Sequence, residues 1–178
     1  MRWALYGVGS LIAVVGIVAA VGAALPAGHK ATVRARFARP AADLWAAIAD
    51  FAGWPSWNPA IRRMERLPDR DGQAVWVLQD GNGRMPTRVI ESTAPDREAA
   101  RPGRLVTRID DDTLPFGGTW TWEVVPVDGH TEVRITEDGV IHNVLFRFMA
   151  RFVFGYEGTA RAYLAALGKK FGEPVAPR

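Results

Sequence analysis

Glu137 has the clearest capacity for acid–base chemistry in this chain. If Thr131 to Gly139 is a strand, Val133, Ile135 and Glu137 share one face, and a carboxyl group is carried inward with two aliphatic side chains. A carboxylate taken out of water must be paired, or be protonated through a raised pKa. Either state suits a general acid or base, although a structural ion pair is the commoner use of such a group. Arg88, and His142 near the start of the last helical run, are its expected partners. Glu137, His142 and Arg88 are therefore the candidate catalytic residues, with no evident arrangement among them.

Other chemistries lack their residues. The 178-residue chain has no cysteine, which excludes disulfides, thiolate catalysis and cysteine-bound metals. Of its histidines, His29 adjoins an apolar N-terminal segment and His130 falls in a predicted turn, leaving His142 nearest a site. No His/Asp/Glu cluster has metal-ligand spacing. Ser10, Ser56 and Ser92 lack a nucleophile-elbow context. Gly81-Asn82-Gly83 reads as a hairpin turn, not a phosphate loop. No metal or cofactor is expected. The net charge is +3 and the arginines are dispersed, so no nucleic-acid-binding stripe is present.

The remaining signal is aromatic. Asp50-Phe51-Ala52-Gly53-Trp54-Pro55-Ser56-Trp57-Asn58-Pro59 packs two tryptophans and two prolines into ten residues. Each Trp buries on the order of 200 Å² and needs a partner for its N–H. Such a segment is expected to close one end of an apolar space. Asn58 is expected to cap the Asn-Pro turn. Strand phases bring Trp120, Trp122, Val133 and Ile135 to the same space, joined by Met85, Val89, Leu105 and Ile109. Phe148, Met149, Phe152 and Tyr156 approach it from a helix. With Trp54 and Trp57 these are the candidate ligand-binding residues; the alternative is that they simply fill the core.

The elements that position them follow from periodicity. Ala31 to Phe37 alternates as a half-buried strand. Pro40 opens a short helix with Leu44, Trp45, Ile48 and Phe51 at helical spacing. Strands are predicted at Ile61 to Leu67, Gln73 to Gln79, Met85 to Ala94, Arg104 to Asp110, Gly117 to Val127 and Thr131 to Gly139, with a turn over Pro68 to Gly72. From Asn143 to Phe171 the period becomes helical, interrupted by Gly155 and Gly158. Each of those glycines costs about 1 kcal/mol in a helix interior. Pro174 and Pro177 end the chain as a loose tail. A twisted antiparallel sheet with one apolar face needs cover, and the long terminal helix is large enough to give it.

Trp3 to Leu25 carries no charge. As a helix it would span about 35 Å, against a hydrocarbon core of about 30 Å. Trp3 and Tyr6 suit one interface, His29 and Lys30 the other. The expectation is a single-pass N-terminal membrane anchor rather than a cleaved signal peptide. The charges do not decide the side of the membrane.

Three stretches carry a family resemblance. They are Arg39-Pro40-Ala41-Ala42-Asp43-Leu44-Trp45 with the Trp-Pro segment, Gly117-Gly118-Thr119-Trp120-Thr121-Trp122-Glu123-Val124, and Thr136-Glu137-Asp138-Gly139 leading through Phe146-Arg147-Phe148 into the terminal helix. Over about residues 30 to 172 the chain resembles the START-like (SRPBCC) superfamily, in its polyketide cyclase/dehydrase branch. The resemblance implies an α+β helix-grip fold: a twisted antiparallel sheet of about seven strands wrapped on a long C-terminal helix, here preceded by one transmembrane helix. The domains would be 1–28 anchor, 29–172 START-like domain and 173–178 tail. It also implies a deep cavity for lipids, polyketides or other apolar molecules, but not a chemistry.

The expected function is non-enzymatic: a membrane-tethered carrier or sensor binding a hydrophobic small molecule or lipid. The alternatives are a polyketide cyclase/dehydratase-type enzyme, and a structural or interaction protein with a vestigial cavity.

Overall fold

The computed structural model describes residues 2–96, 98, 101–127 and 129–178, with backbone alone for 2–12. Helix α1 spans Arg2–Ala24, strand β1 Gly28–Phe37 and helix α2 Ala41–Ala49, followed by a 3-10 helix over Phe51–Ser56. Six strands come next: β2 Arg63–Arg70, β3 Gln73–Gln79, β4 Arg84–Thr93, β5 Gly103–Ile109, β6 Phe116–Val127 and β7 His130–Ile141. Helix α3 (Val144–Met149), a π-helical turn (Ala150–Phe154) and helix α4 (Gly158–Lys170) close the chain.

The strands make one antiparallel sheet in the order β1-β7-β6-β5-β4-β3-β2. Turn chemistry joins neighbours from β2 to β7, and β1 pairs back onto β7. The period of two puts Val33, Ala35 and Phe37 of β1 on the same face as Val133 and Ile135 of β7 and Trp122 and Val124 of β6. Helix α4 lies on that face through Ala160, Tyr163, Leu164 and Leu167, spaced at three and four residues. Leu44 and Ile48 of α2 are fully buried beside them. Each such aliphatic side chain stabilises the fold by about 1.5–3 kcal/mol. The seven-stranded sheet and C-terminal helix agree with the predicted helix-grip architecture.

Four expectations change. The turn begins later: β2 continues through Pro68 to Arg70, with a register shift after Leu67, and Asp71-Gly72 makes the reversal at positive φ. The terminal helix is broken. The π-helical turn ends at Gly155, whose φ of +72° terminates the helix, and Gly158 starts α4 instead of interrupting it. The tail is held: Arg34 and Arg178 exchange two backbone hydrogen bonds of 2.9 and 3.0 Å, and Arg39 bonds Glu173 at 3.0 Å.

The fourth concerns the anchor. Among the described residues no helix is long and apolar enough to cross a membrane, so the transmembrane expectation is unsupported. Trp3 and Tyr6 lie outside the described side chains. Helix α1 packs on α3, with Gly22 so close to the Val144 carbonyl that a Cβ would overlap it.

Candidate ligand cavity

The break before α4 leaves the far end of β6 and β7 without close helical cover. A two-lobed cavity lies there, of about 260 Å³ and about 270 Å³. Ile109, Phe116, Gly118, Trp120, Glu137 and Thr159 border both lobes. Either lobe alone is below the usual ligand-site range of about 300–1,000 Å³, and the two together fall within it.

The larger lobe is an aromatic box. Tyr163 of α4 stands 5.6 Å from Trp54, 5.5 Å from Trp120 and 5.8 Å from Trp122, ring centre to ring centre. Met64, Leu78 and Met85 close the side toward β2–β4, and Asp80 sits at its rim. Trp54 holds its place because its indole N–H donates to the Ile48 carbonyl at 3.0 Å, which meets the polar requirement of a buried tryptophan. Asn58 caps its turn as expected, its Oδ1 accepting from the Ala60 N–H at 3.1 Å. Burial, reinforced by the charge of Asp80, pushes the Tyr163 hydroxyl far above its ordinary value.

The smaller lobe is built around Glu137. Its partner is His29, whose Nε2 lies 3.2 Å from Glu137 Oε1. The His29 side chain is nine-tenths buried, stacks on Tyr156 with ring centres 4.3 Å apart, and has no hydrogen-bond partner at Nδ1. The register explains the meeting. Residue 137 pairs with Trp120 of β6 and Ala31 of β1, while His29 pairs with Gly139. A Cβ at 139 would collide with the His29 ring, so glycine there lets the imidazole lean across to the carboxylate. Trp120 also hydrogen-bonds Glu137.

Burial raises the Glu137 carboxyl above its ordinary range, against the opposing pull of His29 and Trp120. The folded chain therefore keeps this proton at pH values where the unfolded chain has lost it. That stabilisation is complete below the ordinary value of about 4.3 and is lost as pH rises through the raised value. Glu137→Gln removes the titration. Its stability relative to the parent is expected to improve as pH rises from about 4 to 7, measured by urea unfolding at each pH. A difference that stays flat would mean the group titrates like an exposed carboxyl.

The other proposed partners stand elsewhere. Arg88 is on the opposite side of β4, bonded to Asp110 at 2.5 Å and to Asp71 at 3.0 Å. His142 is exposed beyond β7. Among the candidate ligand residues, Trp54, Met85, Ile109, Trp120, Trp122, Met149 and Tyr156 line the cavity. Leu105, Val133 and Ile135 are fully buried in the solid core, where α2 and α4 meet the sheet. Trp57 belongs to that core and Val89 packs against it, and neither lines a lobe. Phe148 packs on Phe152 with tilted rings 4.9 Å apart, and Phe152 is largely exposed.

Sequence reasoning missed His29, Tyr163 and Thr107 as lining residues. The signal for His29 was its odd-numbered phase with Val33, Ala35 and Phe37, which becomes legible once β1 is extended to Gly28. Tyr163 lay on the apolar helix stripe, and Thr107 shared a strand face with Leu105 and Ile109. Among the described residues no group of three His, Asp or Glu side chains could hold a metal ion.

Comparison with known proteins follows the fold. A protein of Thermobifida fusca is 26% identical, with a TM-score of 0.58 over 82% of this chain and 93% of that one. The Zhui aromatase/cyclase of a Streptomyces species is 17% identical, with a TM-score of 0.57 over 80% and 93%. A START superfamily protein of Mycobacterium smegmatis is 15% identical, with a TM-score of 0.52 over 80% and 99%. No curated protein matches the chain. The sequence pattern of one family, described as polyketide cyclase / dehydrase and lipid transport, matches residues 28–172, every strand and both C-terminal helices included, and the chain belongs to that family.

Proposed function

We propose that the chain binds a hydrophobic small molecule between its sheet and C-terminal helices, as a carrier or sensor and not as an enzyme. The observation that carries this reading is the pair of adjoining lobes, the larger walled by Trp54, Trp120, Trp122 and Tyr163. Burying about 300 Å² of ligand there is worth on the order of 7 kcal/mol before association costs. We further propose that α1 tethers the domain to a membrane. It exposes Val14, Val15 and Ile17 and packs on α3, and the segment after α3 exposes Phe152, Val153 and Phe154. Exposed aromatic and aliphatic side chains in such number suit a lipid interface.

A second reading, a cyclase/dehydratase-type enzyme, is favoured by the inward position of Glu137 beside His29. Acid and base are then present in one apolar site.

One experiment addresses these readings. The full chain is recovered from separated membrane and soluble fractions, and organic extracts of it are analysed by mass spectrometry. Recovery with the membrane and a retained apolar compound are expected. Thr107→Phe, which places a ring in the larger lobe, is expected to lose the compound without losing stability. A chain found only in the soluble fraction refutes the tether, and empty extracts refute the binding. Were the protein an enzyme, Glu137→Gln would accumulate a compound absent from the parent's extract.

A further inference from the structure

The polar lining of the cavity is one-sided. Among the described residues, no lysine or arginine borders either lobe. The ionisable side chains that do are Asp80, Glu137, His29, Tyr156 and Tyr163. The carboxyl groups of Asp80 and Glu137, once ionised, give the interior a negative field. The walls add aromatic rings, Trp120, Trp122 and Tyr163, and an aromatic ring attracts a cation placed over its face.

The unpaired atoms have the same sense. When the His29 Nε2–H donates to an ionised Glu137, Nδ1 is a bare acceptor, buried and without a partner. Glu137 has further acceptor capacity beyond the His29 bond, since an ionised carboxylate offers about four lone-pair sites. Asp80 Oδ1 accepts from the Asn82 and Gly83 N–H groups, and Oδ2 from the Asn82 side-chain amide. A carboxylate or phosphate head entering here would lose its water, find no lysine or arginine to pair with and lie beside the ionised carboxylates. A donor-rich cation would meet acceptors, a carboxylate and aromatic faces.

Resting on the proposed binding function, we infer that the cavity selects apolar molecules bearing a protonated amine and disfavours fatty-acid and phosphate heads. The ammonium group sits at Glu137 and His29, where the two lobes join, and the apolar body occupies the aromatic box. Gly139 belongs to this site, because any side chain there would push the imidazole off the carboxylate.

The test uses the full chain and three matched probes: naphthylethylamine, naphthylethanol and naphthylacetate. Dissociation constants come from calorimetry or from quenching of the cavity tryptophans. The amine is expected to bind about tenfold tighter than the alcohol, with the acetate weakest. In Glu137→Gln the gap between amine and alcohol is expected to shrink to less than about twofold.

If that variant does not fold, a pH series on the parent serves instead. Amine affinity is expected to rise with pH as Glu137 ionises through its raised value, while the alcohol changes little. Tyr156 and the second-lobe groups Asp80 and Tyr163 face the same space and do not reverse this sign. Acetate binding as tightly as amine, or an amine advantage that survives Glu137→Gln, overturns the selectivity. Equal binding of all three probes leaves the carrier reading standing and refutes this inference. Binding of none refutes both.

Discussion

Trp122→Ala is expected to destabilise the fold by about 3–5 kcal/mol, the largest loss of any single truncation considered. Trp122 is 1% exposed, at the junction of β6, α4 and the Trp-Pro segment. Its ring lies 6.0 Å from Trp54 and 5.8 Å from Tyr163, centre to centre. The adjacent lobe is already void, so removing the indole enlarges an existing space that its walls have no means of closing. That places the cost toward the upper part of the range. Domains of this size are stable by only about 5–15 kcal/mol, so the variant retains a small margin. At about 2–4 °C per kcal/mol, the Tm falls by on the order of 10 °C or more. Calorimetry and urea unfolding measure this, and a loss under about 1 kcal/mol would show that the aromatic box is not part of the cooperative core.

Gly118→Ala is the second large effect. Gly118 has φ of +131°, a conformation that costs other residues about 1–3 kcal/mol. A Cβ there would also overlap the Asp138 carbonyl oxygen and come within 2.7 Å of the Gly139 Cα, both backbone atoms. Residues 118 and 139 are paired across β6 and β7, so relief requires the two strands to separate beside Glu137. The variant is expected to lose about 2 kcal/mol or more and to bind ligand poorly. Gly117→Ala is the control. Its Cβ would meet Val140 Cγ1 at an ordinary 3.6 Å, and removing a strand glycine gains about 0.5–1 kcal/mol. Similar urea midpoints for the two variants would show that the local backbone does not constrain the site.

The legible part of the fold was the part set by short-range periodicity. Val33-Ala35-Phe37 alternate cleanly because one face of β1 is buried and the other is wet, and Val133-Ile135-Glu137 keep one phase on β7 although Glu132 on its other face is also buried. Inward placement of Glu137 followed from that phase alone. Its partner did not, because the meeting with His29 depends on the β1–β7 register across more than a hundred residues, and on the missing side chain at 139. The apolar run before His29 also drew the reading toward a membrane boundary, where a juxtamembrane histidine has no strand phase to follow. The helix break escaped for another reason. Leu145, Phe148, Phe152 and Tyr156 keep helical spacing right up to it, and a glycine is compatible with either a bend or a stop. The division between lining and solid core was likewise hidden: Trp122 and Ile135 share a face and a register pair, and only the resting place of α4 decides which of them meets empty space.

The two outermost strands differ in how they are shielded from other chains. Beside β1 the carboxyl-terminal residues occupy the bonding positions that a foreign strand would need, through the reciprocal Arg34–Arg178 bonds. On the far side, Pro68 withholds an N–H from β2 and the register shift there disturbs its flatness. Loss of the last few residues would thus unmask a templating surface on one flank alone, and oligomers or fibres of the shortened protein would grow from β1 outward.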